Sequence, residues 1–210
     1  MPTLSTVLLF VGATMALLIV PGPAVVYIVT RTVAQGRTAG LLSVLGVHVG
    51  SIVYVLLTSL GMSALLLASP VLFQIVKWLG VAYLVWLGIQ KLRNRRTDDG
   101  TVAEPPPMSH ARIFGQGVLV NVLNPKTLVF FVAFLPQFVD PARGAAVWQL
   151  LFFGVGFIVL GILSDGSYAL LASVLSGRLR NTAKARRRLD LSSGAIYIVL
   201  GAVAAAVSQA

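Results

Sequence analysis

Leu17-Leu18-Ile19-Val20-Pro21-Gly22-Pro23-Ala24-Val25-Val26-Tyr27-Ile28-Val29 is an apolar run broken by two prolines and a glycine. Proline removes a backbone donor and clashes with the preceding turn, so a helix must pause here. The apolar character nevertheless continues on both sides, over residues 4–30. That is enough for one crossing of a bilayer, which takes about 20 residues. The residues do not alternate as those of a barrel strand would. We read the run as one interrupted membrane helix.

A second stretch has the same form. Asn121-Val122-Leu123-Asn124-Pro125-Lys126 interrupts an apolar run over 113–139. Further apolar runs cover 40–62, 71–90, 145–171 and 191–207, so the chain is expected to be all-α, a polytopic membrane protein with six transmembrane helices. Composition agrees: of 210 residues, 57% are hydrophobic and only 10% charged, whereas soluble domains carry about a quarter charged residues. The first run has no basic leader or small-residue cleavage site and is expected to be a retained span. Residues 91–112, with Asp98-Asp99-Gly100 and Pro105-Pro106-Pro107, read as a polar, mobile linker.

The net charge of +10 is explained by where the charges fall. All Lys and Arg except Lys77, Lys126 and Arg143 lie in the stretches 31–39, 91–112 and 172–189. These are the first, third and fifth loops of a six-span chain, and basic loops stay in the cytoplasm. Both termini are then expected on the periplasmic side of a bacterial inner membrane. No basic run is interleaved with stacking aromatics, so nucleic acid is not an expected partner. There is no cysteine, hence no thiolate chemistry. No catalytic residue, metal site or cofactor is expected: H-E-x-x-H, G-x-S-x-G and Walker A patterns are absent.

The chain also repeats. Pro21 aligns with Pro125, Gly40 with Gly144 and Gly50 with Gly154, and Gly80-x-x-Tyr83 aligns with Gly194-x-x-Tyr197. Residues 4–90 and 113–207 thus form two three-span repeats of a single membrane domain. Three spans per repeat forces opposite insertion, the inverted arrangement of many secondary transporters, which bind cargo where broken helices meet.

Candidate residues follow from the expense of polar groups in hydrocarbon. The breaks at Pro21, Gly22 and Pro23 and at Asn124 and Pro125 would expose half-helix ends, whose amides and partial positive charge suit a carboxylate. A plain kink is the alternative. Lys126 is an ionisable group deep in the fourth span. Lys77 is either functional or snorkels to the outer interface. Asp165, in Ser164-Asp165-Gly166-Ser167, is the one carboxylate in any span. It is a candidate for proton coupling or for pairing a substrate ammonium; a structural ion pair is the competing role. Asn121 and Asn124 either bond across helices or line a path. His48 is read as a packing residue, and Gly46-x-x-x-Gly50 as a close helix contact.

Over nearly its whole length the chain resembles the LysE/RhtB family of amino-acid exporters. The resemblance is carried by Pro21-Gly22-Pro23, Gly36-Arg37-x-x-Gly40, Leu45-Gly46-x-x-x-Gly50, and Lys77-Trp78-x-Gly80-x-x-Tyr83-Leu84-x-Trp86-Leu87-Gly88. Asn121-x-x-Asn124-Pro125-Lys126 and Phe134-Leu135-Pro136-Gln137-Phe138 complete it. It implies export of amino acids from the cytoplasm, driven by protons or membrane potential, with neutral ones such as homoserine, threonine or leucine as cargo. A passive channel and a non-transport assembly protein are the competing classes. Expected partners are an amino acid and the lipid bilayer; oligomeric state, a homodimer included, stays open.

Overall fold

The computed structural model describes residues 2–62 and 107–179, with Val71, Ile75, Trp78, Ala82 and Ile89 between them. The described residues form helices and their connections, with no strand among them. Two segments, Pro23–Gly61 and Ala146–Ser176, are long and apolar enough to cross a membrane. A bent pair, His110–Val122 with Pro125–Phe138, makes a third across a 48° break. The sixth expected span, most of the third, Lys77 and most of the basic stretches lie outside the described residues.

Helix α1 (Leu4–Ile19) starts where Thr3 Oγ1 accepts the Thr6 amide at 3.1 Å. It stops at Val20, which is extended. Helix α2 (Pro23–Leu57) then begins with Pro23 in its first turn, where a missing N–H costs nothing. The break is therefore Val20-Pro21-Gly22, and Pro23 already belongs to the next helix.

Helix α2 has 35 residues, but it is not one rod. Gly36 sits at φ 83°, a left-handed conformation open to glycine, and the chain folds back there. A Cβ on Gly40 would overlap the Thr32 hydroxyl, although eight residues of straight helix span about 12 Å. Ala24 and Ile28 likewise cluster with Val44 and Val47. Two helical arms, 23–35 and 37–57, thus lie side by side. This corrects the basic loop expected over 31–39: one glycine does the turning. Arg31 is buried on the first arm, beside Gln35 and Gln116.

A π turn, Thr58–Met62, follows α2. Helix α3 (His110–Val122) is capped by Ser109, so the expected linker ends before residue 112. Met108 is tied to the Gln35 side chain by two hydrogen bonds, 2.8 and 3.1 Å. After Leu123 and Asn124 comes α4 (Pro125–Val129), continued by a π turn, Phe130–Phe134, and a 3-10 turn, Leu135–Phe138. Helix α5 (Ala146–Leu179) runs past residue 171, where the fifth loop was expected to begin. Both stretches show one element order: helix, proline break, helix, left-handed glycine, long helix. The second left-handed glycine is Gly144, at φ 126°. Its counterpart by conformation is Gly36, whereas the sequence match had paired it with Gly40.

Packing is of two kinds. Phe10, Phe130, Phe131, Phe134, Phe138, Phe153 and Phe157 form an aromatic cluster between α1, the 130–138 segment and α5. Elsewhere glycines let backbones touch. A Cβ on Gly46 or Gly50 would overlap the carbonyls of Phe114 or Val118, which supports the reading of Gly46-x-x-x-Gly50 as a close contact. Large apolar side chains such as Leu8, Leu56, Val155 and Val174 face outward. Lipid tails suit them; water does not.

Candidate functional site

Between the aromatic cluster and the small cluster of Ala24, Ile28, Val44, Val47 and Ala169 lies a cavity of about 30 Å³. That holds a water or two, so any larger occupant requires the helices to move. Leu17, Leu18 and Phe157 wall one side, Ala24 and Val47 the other. Of the residues singled out in the sequence, Gly22, His48, Asn121, Asn124, Lys126 and Asp165 line it. Pro21, Pro23 and Pro125 do not; they shape the backbone beside it.

The two breaks hold each other's ends. A helix leaves its last carbonyls without partners, and hydrocarbon offers none. Buried Lys126, on α4, donates from Nζ to the Val20 carbonyl at 2.6 Å, and the Tyr168 hydroxyl, on α5, donates to Ile19 at 2.7 Å. In the other direction the Tyr54 hydroxyl, on α2, donates to the Val122 carbonyl at 2.6 Å. Each break is thus closed by side chains from the opposite stretch of sequence.

The N-terminal ends differ. Asn124 Oδ1 accepts the Lys126 amide at 3.1 Å and caps α4. Gly22 caps α2 with no side chain, and Gly22, Ala24 and Val25 of this first turn line the cavity. Asn121 Nδ2 donates to Ser51 Oγ and Asn121 Oδ1 accepts from Thr127 Oγ1, both at 2.9 Å. This fixes the last turn of α3 against α2 and α4.

Asp165 is buried on α5, and its Oδ2 lies 3.1 Å from Nε2 of His48 on the second arm of α2. The imidazole rests on Gly161, where a Cβ would overlap the ring. Its other nitrogen, Nδ1, is buried without a hydrogen-bond partner among the described residues. Lys126 also interacts electrostatically with Asp165. The cavity therefore holds one carboxylate, one ammonium and one imidazole among apolar walls. His48 was read as a packing residue; it packs on Gly161, and it also pairs with Asp165. Its signal was legible, since Ser43, His48, Ser51, Tyr54 and Thr58 recur at near-helical spacing and all are buried.

Apolar helices broken at prolines, with ionisable groups gathered at the breaks, define a membrane translocator. The family description LysE type translocator matches residues 15–208, and the chain belongs to that family. An uncharacterized membrane protein of Vibrio cholerae is 33% identical over 86% of this chain and 87% of its own. A homoserine/homoserine lactone efflux protein of Salmonella typhi is 31% identical over 90% of this chain and 91% of its own. A leucine efflux protein of Salmonella choleraesuis is 34% identical over 59% and 58%. No solved structure matches.

Proposed function

We propose that this protein exports neutral amino acids from the cytoplasm across a bacterial inner membrane, in exchange for protons. The observation that carries the reading is the cavity itself, which lies beside both helix breaks and has Lys126 and Asp165 buried in its lining. A zwitterion needs an anion binder and a cation binder. The uncapped first turn of α2 with Lys126 serves the carboxylate, and Asp165 serves the ammonium. A side chain bearing a second positive charge would need a second anion, and the described lining has only Asp165. The rest of the lining is uncharged, apolar at Leu17, Leu18, Val25, Val47 and Phe157 and neutral polar at Ser51, Asn121 and Thr127, and suits an uncharged side chain. Efflux relatives named for homoserine and leucine fit that range.

A six-span inverted repeat with periplasmic termini belongs to this reading. The equal element order of the two stretches supports it, because a two-fold relation would generate that order. A passive channel asks for a continuous polar path, and a small cavity walled by Leu17, Leu18 and Phe157 fits that poorly.

The test is uptake of labelled homoserine, threonine, leucine and lysine into inverted vesicles, with and without an imposed pH gradient. Neutral amino acids should accumulate only with the interior acidic, and lysine should not. In the Asp165→Asn protein the gradient should no longer drive accumulation, although the chain still inserts. Gradient-driven accumulation unchanged in that variant would remove Asp165 from the mechanism.

A further inference from the structure

We infer that His48 and Asp165 work as one proton-carrying pair, in which the imidazole Nδ1 takes the proton exchanged for substrate. The inference rests on the antiport reading above and adds the atom that holds the proton. Three observations place it there. The pair spans two elements, α2 and α5, at 3.1 Å. Both residues are 4% exposed and line the same cavity. Nδ1, alone of the ring's two nitrogens, has no hydrogen-bond partner among the described residues.

Tautomer chemistry follows from this. With Nε2–H donating to the carboxylate, a neutral imidazole keeps its lone pair on Nδ1. A proton from solution adds there without breaking the Nε2–Asp165 bond. Imidazole is also the side chain whose charge ordinarily changes between about pH 5 and 8.

Charge balance then couples proton to cargo. Lys126, Asp165 and a neutral His48 sum to zero, and a zwitterion leaves that sum at zero. A proton on Nδ1 makes the site positive, and the imidazolium becomes the cation that Asp165 balances. A substrate ammonium at Asp165 would then stand beside it as a second, uncompensated cation in an apolar site, where such charges repel strongly. Ammonium and proton are therefore alternatives. Arrival of cargo expels the Nδ1 proton to the cavity, and departure readmits one. No bond other than N–H changes.

The surroundings leave this role to His48. Among the described residues, Lys126 on α4 and Tyr168 on α5 interact electrostatically with Asp165, and they are engaged with the carbonyls of Val20 and Ile19. The first arm of α2 brings Tyr27 and Arg31, engaged with Ile113 and with Gln35 and Gln116. Helix α1 carries no ionisable side chain, and α3 carries His110 and Arg112 at its far end from Asn121.

The chain has two histidines, so a His110→Asn background makes His48 the single imidazole. Protein with ¹⁵N-labelled histidine is reconstituted in lipid nanodiscs at about pH 6, and whichever of homoserine or leucine the same preparation exchanges in counterflow is added to saturation. The ring signals should move from the charged to the neutral pattern, with about one proton released per amino acid bound. In Asp165→Asn the response should vanish. A His48→Gln protein should transport more slowly, with a rate that no longer varies between pH 6 and 8. Ring signals that ignore an exchanged amino acid, or a His48→Gln rate with the wild-type pH profile, would overturn the inference and leave the pair structural. Absence of counterflow for both amino acids would instead sink the exporter reading beneath it.

Discussion

The break after α1 and the break after α3 look alike in sequence and are built differently. Each places proline in the first turn of the following helix, and each hands its orphan carbonyls to side chains from the other stretch. Yet Asn124 caps its own helix, while Gly22 offers the α2 amides no side chain. The second break is self-satisfied and delivers a cation, Lys126. The first is open toward the cavity and receives that cation at Val20. A proline interruption thus marks where a membrane helix stops. The residue just before it decides whether the new end is closed or available to a ligand.

That contrast can be broken experimentally, most severely at Lys126. Lys126→Met leaves the Val20 carbonyl unpartnered and Asp165 with less compensating charge. Losing a buried hydrogen bond from a charged donor costs about 1.5–3 kcal/mol; with the ammonium assigned to the substrate carboxylate also gone, export should fall by roughly 100-fold or more, assayed in inverted vesicles. Gly161→Val comes next, because its side chain must displace the His48 ring. Overpacking costs about 1–3 kcal/mol, so the melting temperature should drop, and gradient-driven export should fall further than counterflow exchange.

Gly22→Ser tests the open end directly. The residue lies at φ −103°, ψ −171°, an extended conformation that suits a capping serine. The new hydroxyl would occupy amides assigned to the substrate carboxylate. KM should rise by about tenfold while thermal stability holds, since replacing glycine at an N-cap changes stability by only about a few tenths of a kcal/mol. An unchanged KM would mean the first break is not the anion site.

Asn124→Ala is the matched control at the closed end. It should cost about 1 kcal/mol of stability, with KM shifted less than in Gly22→Ser. Smallest are Tyr54→Phe and Tyr168→Phe, each losing one hydrogen bond worth about 1 kcal/mol. Both losses should be readable in thermal unfolding of the purified variants, and should add in the double variant within about 0.5 kcal/mol.

Much of this site was visible in the chain alone, for a thermodynamic reason. Lys126 and Asp165 stood out because a charge inside an apolar run has to be explained. The prolines stood out because a missing amide has no substitute in lipid. What stayed hidden was pairing. His48 and Asp165 are 117 positions apart, and nothing local says which face of α2 meets which face of α5. The reversal at Gly36 was also hidden, because Arg31 and Arg37 looked like a solvated loop. Burial of Arg31 with two glutamines, and one left-handed residue between arms, depends on neighbours that only the folded chain supplies.

Sequence by itself determined that this chain lies in a membrane, that its helices break at Pro21 and Pro125, and that Lys126 and Asp165 need partners. Periodicity, backbone donors and the cost of buried charge are properties of each segment and survive without a fold. Only the tertiary structure decided which partners they find: Val20 for Lys126, His48 for Asp165, and the opposite break's carbonyls for Tyr54 and Tyr168. Those contacts join residues far apart in the chain, and they exist only once glycine-lined faces let the helices close.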